Sequence, residues 1–213
     1  MIQINIFYFN DLRVCCYLLW DETKEAIVVD PGCHTKSEQE RFKKFVQQEK
    51  LDIKYVVNTH AHFDHAMGNA FVCTTWGVKS YLHPADLLIL QNAQTYCQMF
   101  GIEIDQPPVD ILSLSEKEEL TFGRSSLTVI ETPGHSPGGV CLYSPHDRFL
   151  ITGDTLFAGN IGRTDLPGGD YDQLIESITQ KIIPLASPLR ILPGHGNETT
   201  LAEELCRNPY ILR

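Results

Sequence analysis

THAHFDH, residues 59–65, packs three histidines and one aspartate into six consecutive positions. Directly before it, residues 54–58 read as a strand with an apolar β-branched and aromatic centre. A strand presents alternate side chains on one face. A chain leaving that strand through a tight loop can turn His60 and His62 toward one point. Asp64 and His65 then open the next helix and face the same space from another side. Neutral imidazole nitrogen and carboxylate oxygen are the ligands that suit zinc, iron and manganese. No ordinary packing need calls for four such residues in six positions.

Three further ligand-type residues share one local grammar. His135 lies in ETPGHSPGG after the strand 127–130, Asp154 in LITGDTLF after 149–151, and His195 in ILPGHG after 189–192. Each follows an apolar strand through a glycine-containing turn. Turns that end strands in this way gather at one edge of an α/β architecture. Seven ligands exceed one zinc, since a closed structural site takes four and a catalytic one three plus water. Seven suit two metals sharing one carboxylate and one water, at roughly 3.5–4 Å separation. Of the other histidines, His34 and His146 sit in polar turns and read as solvated. His83 precedes a proline at a helix start, and reads either as that start or as a contact to the pocket.

Around these motifs, strands are expected over 2–9, 14–20, 26–29, 79–82, 110–114, 119–122, 126–131 and 140–144, with helices over 37–49, 64–76, 84–98, 171–183 and 200–207. Strand runs first and strand–helix alternation later, in both halves, imply two sheets with helices outside. Residues 101–118 form a long loop, read either as a cover over a pocket or as a plain connection.

Composition excludes other classes. The chain has 213 residues, fitting one domain over 1–213, with 43% hydrophobic and 21% charged residues. Its 17 basic and 27 acidic residues give a net charge of −10, which argues against nucleic acid and anionic membrane as partners. The apolar runs are too short for a membrane span. No signal peptide is read at MIQINIFYFNDL. Seven cysteines without a C-x-x-C pair fit reduced, buried thiols and a cytoplasmic protein.

THAHFDH, then His135, Asp154 and His195 in that order, with VVDPG at 28–32, resemble the metallo-β-lactamase superfamily. The stretch GDTLFAGNIGRTDLPGGD, 153–170, is most similar to its short glyoxalase II-like hydrolases. The resemblance implies an αββα sandwich of two mixed β-sheets with helices on the outer faces. It implies one metal on His60, His62 and His135, a second on Asp64, His65 and His195, and Asp154 bridging, with zinc foremost and iron or manganese as alternatives. Asp30 would orient a ligand or its loop, unless it is a simple turn residue. Arg163 stands where a basic residue of those enzymes contacts substrate, unless it merely pairs with Asp165.

The implied reaction is hydrolysis of a small-molecule thioester, a 2-hydroxyacyl thioester such as S-D-lactoylglutathione, by a metal-bridging hydroxide, with Asp64 and Asp154 as the catalytic carboxylates. The alternative is a persulfide dioxygenase with one iron on His60, His135 and Asp154. Typical glutathione thioesterases of this family carry a further helical carboxy-terminal region, which a chain running to Arg213 is expected to lack. Zinc β-lactamases are set aside because His65 follows Asp64 and no cysteine stands in the site motifs. The oligomeric state is left open.

Overall fold

The computed structural model describes residues 1–185 and 188–211. Strands β1 (Gln3–Phe9), β2 (Val14–Trp20) and β3 (Glu25–Val29) form an antiparallel meander. Helix α1 (Lys36–Glu49) then crosses over to β4 (Asp52–Val57), which pairs parallel with β3. The Thr35 hydroxyl accepts from Glu38 N while the Glu38 carboxylate accepts from Thr35 N, a reciprocal cap that fixes the start of α1. Next come α2 (Phe63–Ala66), α3 (Asn69–Trp76), β5 (Ser80–Leu82), α4 (Leu87–Gln91), α5 (Ala93–Met99) and β6 (Leu112–Ser113). The first sheet thus runs β1-β2-β3-β4-β5-β6.

The second half builds β7 (Glu119–Phe122), β8 (Ser125–Glu131), β9 (Val140–Ser144) and β10 (Phe149–Gly153). A small ribbon of β11 (Leu156–Phe157) and β12 (Asn160–Ile161) follows, then α6 (Tyr171–Ser177), β13 (Arg190–Pro193), β14 (Thr199–Thr200) and α7 (Leu201–Arg207). The second sheet runs β14-β13-β10-β9-β8-β7, with β10 and β13 parallel and its other pairs antiparallel. Both sheets are mixed.

The layers follow from side-chain alternation. Every residue of β2 is buried, which marks a strand covered on both faces. Cys15, Tyr17 and Leu19 point into the core between the sheets, where they meet Phe122, Val129, Leu142 and Phe149. Cys16, Leu18 and Trp20 point the other way, onto Phe42, Val46 and Val72 of α1 and α3. In the second sheet Ile151 faces the shared core, while Leu150 packs outward onto Leu174 and Ile178. Helix, sheet, sheet, helix is therefore the observed order, the expected sandwich.

Three expected helices are interrupted. The helix read over 64–76 breaks at Met67 and Gly68. The ladder bond from Gly68 N to the Asp64 carbonyl is not made, because Gly68 N donates to Pro31 O at 2.6 Å and Asp64 O accepts from Asn10 Nδ2 at 3.1 Å. The helix read over 84–98 becomes a 3₁₀ turn, Pro84–Asp86, followed by α4 and α5. Asn92 separates the two by bonding the Leu88 carbonyl through its own side chain at 2.8 Å. The helix read over 171–183 widens after Ser177 into a π-helical segment, Ile178–Ile182, with Ile183 N reaching Ile178 O at 3.0 Å. The strand read over 110–114 shortens to β6. Strands β11, β12 and β14 have only two residues each, too short for a sequence pattern to reveal.

The loop over 101–118 is tied back to α4 and α5 by Gln106 Nε2 on Leu90 O and Gln94 Nε2 on Ile104 O. With His34, Lys36, Met67 and Phe71 it borders a cavity of about 410 Å³. None of the seven ligand-type residues lines that cavity. All seven cysteines are free, six buried and Cys206 exposed. Among the described residues, no helix is long and apolar enough to cross a membrane.

Asp21, fully buried after β2, offers a test of local energetics. Its carboxylate accepts from Thr23 N, Thr23 Oγ1, Arg124 N and Ser125 Oγ at 2.6–3.0 Å, joining the two sheets. Burial opposes its charge, but the Thr23 hydroxyl and the other donors outweigh burial and lower its pKa to about 2. Asp21→Ala is expected to cost about 2 kcal/mol at neutral pH. Because the folded pKa is depressed, that advantage is complete above the unfolded value near ~4 and fades as pH falls toward ~2. Urea melts of both proteins across that range check it: the gap should close on acidification.

Candidate metal centre

Strand ends deliver the ligand-type residues to one seam between the sheets. His60 and His62 leave β4 through the loop into α2, and the Thr59 carbonyl in that loop accepts from Val140 N of β9 at 2.8 Å. His135 lies in the turn after β8, Asp154 just past β10 and His195 just past β13. The loop holding His195 is bound to the first sheet, with Cys15 N donating to Gly194 O at 2.7 Å. His60, His65, His135 and Asp64 are buried, and His195 is partly open.

All seven residues come together. His60, His62 and His135 form one group whose ligand atoms lie within 4.8 Å of one another, and Asp64, His65 and His195 form a second. Asp154 reaches both: Oδ1 is 3.4 Å from His65 Nε2, while Oδ2 is 3.5 Å from His135 Nε2 and 3.7 Å from His195 Nε2. Asp30 also lies near His60 and His65. Its oxygens, however, are occupied by Thr59 N at 2.8 Å, Thr59 Oγ1 at 2.6 Å and His65 Nδ1 at 3.0 Å.

Hydrogen bonds around the rings assign their free lone pairs. His65 Nδ1 donates to Asp30, His195 Nδ1 to Leu12 O at 3.0 Å, and His135 Nδ1 to Arg163 O at 2.7 Å. The Thr59 hydroxyl donates to Asp30, so it accepts from His60 Nδ1 at 3.1 Å. Each of these four rings therefore turns its Nε2 inward, the nitrogen left to take a metal or a proton. Among the described residues, His60 Nε2 is buried without a hydrogen-bond partner, and so is Asp154 Oδ1. His65 Nε2 and His195 Nε2 face each other at 3.2 Å. His62 Nδ1 meets His135 Nε2 at 2.8 Å. Converging lone pairs and orphaned buried acceptors fit a cation between them, and the nitrogen-plus-carboxylate set fits a divalent transition metal.

The charges agree. Burial works against a proton on His65, yet the carboxylates of Asp64, Asp154 and Asp30 outweigh it and raise its pKa. Burial likewise opposes ionisation of Asp154, and His65 nonetheless holds its pKa far below the ordinary carboxylate range. In the second group the protein calls for positive charge. His62 behaves oppositely: burial and then His135 push its pKa down to about 4, keeping it a neutral ligand.

Arg163 makes a two-pronged pair with Asp165, 2.7 Å at each contact, and both side chains are exposed. Its main-chain carbonyl is the group that orients His135. His83 lies outside the cluster, pairing with Glu131 at 3.2 Å and accepting from Ala85 N. His34 is half-buried against Glu38 rather than solvated, while His146 is exposed. Sequence reasoning missed Asn10, whose amide holds the carbonyls of Gly32 and Asp64. It also missed Tyr17, whose hydroxyl donates to Pro193 O at 2.6 Å beneath the His195 loop. One reads as a turn residue and the other as core, so nothing local marks either.

Two six-stranded mixed sheets between helices, with histidines and aspartates converging at the seam, define a metallo-hydrolase architecture. Residues 10–195 match the Metallo-beta-lactamase superfamily, and the chain belongs to that superfamily. It is 34% identical over 211 residues to a protein named hydroxyacylglutathione hydrolase GloC from Haemophilus influenzae, covering 98% of each. Among solved structures it is similar to the BLEG-1 B3 metallo-beta-lactamase, with a TM-score of 0.89 and 34% identity over 99% of this chain and 100% of that one. It is also similar to TTHA1623 in a di-iron-bound form, with a TM-score of 0.87 and 33% identity over 97% and 99%.

Proposed function

We propose that this protein hydrolyses thioesters at a binuclear metal centre, with 2-hydroxyacyl thioesters such as S-D-lactoylglutathione as the substrate class. The observation that carries the reading is Asp154, set between two complete ligand groups with its oxygens toward members of both. The similarity to GloC over nearly the full length of both chains supports the substrate class.

His60, His62 and His135 would hold one ion, Asp64, His65 and His195 the other, and Asp154 both. Two divalent ions there, zinc or else iron or manganese, would polarise the thioester carbonyl and lower the pKa of a water toward ~7. Asp30, Leu12 O and Arg163 O keep three histidine rings from rotating, which holds the ligand geometry through turnover. Asp64 and Asp154 both have lowered pKa values despite burial, so both stay ionised and offer the centre anionic oxygens. The departing thiolate needs no dedicated acid, because thiols ionise near ~8.5.

Arg163 would exchange its Asp165 partner for a carboxylate of the thiol carrier. An exposed ion pair is worth only ~0–1 kcal/mol, so the exchange costs little. Arg163→Met is expected to raise KM for S-D-lactoylglutathione about 10-fold with kcat nearly unchanged. An unchanged KM removes Arg163 from substrate binding.

Metal analysis of the isolated protein, paired with thioester, persulfide and β-lactam assays, tests the whole reading. Two equivalents of metal and oxygen-independent hydrolysis of S-D-lactoylglutathione are expected. One iron with oxygen consumption on glutathione persulfide would establish the dioxygenase instead. β-Lactam hydrolysis without thioester hydrolysis would equally overturn the proposal.

A further inference from the structure

Asp86 is fully buried at the end of the turn Pro84–Asp86, where it opens α4, and no motif in the sequence draws attention to it. Its Oδ2 accepts from Ala61 N at 3.0 Å and from Ser136 Oγ at 2.8 Å. Its Oδ1 accepts from Gly138 N at 2.6 Å. Ala61 lies between His60 and His62, and Ser136 directly follows His135. One carboxylate therefore grips both loops that carry the three-histidine group. One loop extends from the first sheet and the other from the second.

A buried carboxylate is costly to desolvate and is retained only where its donors are well placed. Main-chain N–H groups bonded to a carboxylate make short, strong contacts, and the 2.6 Å bond to Gly138 is such a contact. Gly138 has no Cβ, and one built there would lie 2.9 Å from Asp86 Cγ and Oδ1. The clamp needs a carboxylate in particular. An asparagine offers one acceptor oxygen, and its amide would set a donor against either Gly138 N–H or the Ala61 and Ser136 donors.

We propose that Asp86 is a positioning residue, clamping the His60–His62 loop to the His135 turn and so setting the spacing of the three-histidine metal group. This rests on the two-ion reading above. Asp86 touches no substrate or ion; it acts through the three ligands. Outer partners of this kind govern metal affinity, typically by about 10–100-fold. The second group is held by other residues, Asp30 and the Leu12 carbonyl, so it should be insensitive to Asp86.

The test is zinc titration by calorimetry of the full-length apoprotein in a His195→Ala background, where the three-histidine group is the intact one. Adding Asp86→Asn is expected to weaken zinc binding there about 10–100-fold. Ser136→Ala, which deletes one of the three donors, should shift affinity less and in the same direction, and it keeps the test open if Asp86→Asn folds poorly. In the otherwise unaltered protein, Asp86→Asn should lower cobalt stoichiometry from two to one and change the visible spectrum of the bound cobalt. Unchanged affinity in both variants overturns the proposal, whatever happens to the melting temperature. If the His195→Ala parent itself binds no zinc, the two-ion reading has failed and the clamp falls with it.

Discussion

Asp154→Ala is expected to abolish metal-dependent turnover, by about 10³-fold or more in kcat. The side chain faces His65 and His195 of one group and His135 of the other at 3.4–3.7 Å, so no other residue can substitute for it. Its removal also leaves converging imidazole lone pairs with one negative charge fewer to offset a bound cation. Metal content should fall with activity, and His65 should lose part of the carboxylate field that raises its pKa. Turnover and metal content, measured on the same purified sample, decide the matter. Full activity in a protein verified to carry its metal would refute a bridging role.

Gly194→Ala is expected to damage the centre nearly as badly through shape alone. A Cβ at position 194 would fall against Asp154 Oδ1, with His65 Cε1 at 2.8 Å and the Gly153 carbonyl carbon at 3.0 Å. The loop cannot easily retreat, because Gly194 O accepts from Cys15 N and Gly194 N donates to Gly153 O, both at 2.7 Å. Overpacking of this kind typically costs ~1–3 kcal/mol of stability. Displacement of a reacting group by ~1 Å can cost about 10²-fold in rate. A melting curve and a kcat measurement on the holoprotein check both. Wild-type values in each would mean that the loop has more room than its hydrogen bonds imply.

The seven ligand-type residues were legible because their chemistry is local. Each stands in a short motif after a strand, and strand ends collect in space. The sandwich was legible because β2 is apolar at every position and α1 has one apolar face. What could not be read is long-range. Asn10 breaks a helix at residue 67 by taking a carbonyl 54 positions away, and no propensity scale encodes that. Asp86 looks like a helix-start aspartate, yet its partners lie 25, 50 and 52 positions distant. The side-chain bond of Asn92 that divides α4 from α5 is local, but asparagine inside an apolar-periodic stretch is tolerated often enough to hide it.

The imidazole of His195 is secured by the main chain of Leu12, 183 residues earlier. The metal pocket is thus finished by a contact between the opening hairpin and one of the latest strands. During synthesis the hairpin emerges long before its counterpart, and domains generally begin to fold as they emerge. Until the chain has been made through residue 195, the ligand-type residues His60, His62, Asp64 and His65 lack His135, Asp154 and His195, which meet them in the fold. Contacts this distant are slow to form, so maturation of the centre should lag behind formation of the first sheet, and metal supplied too early would meet an unfinished site.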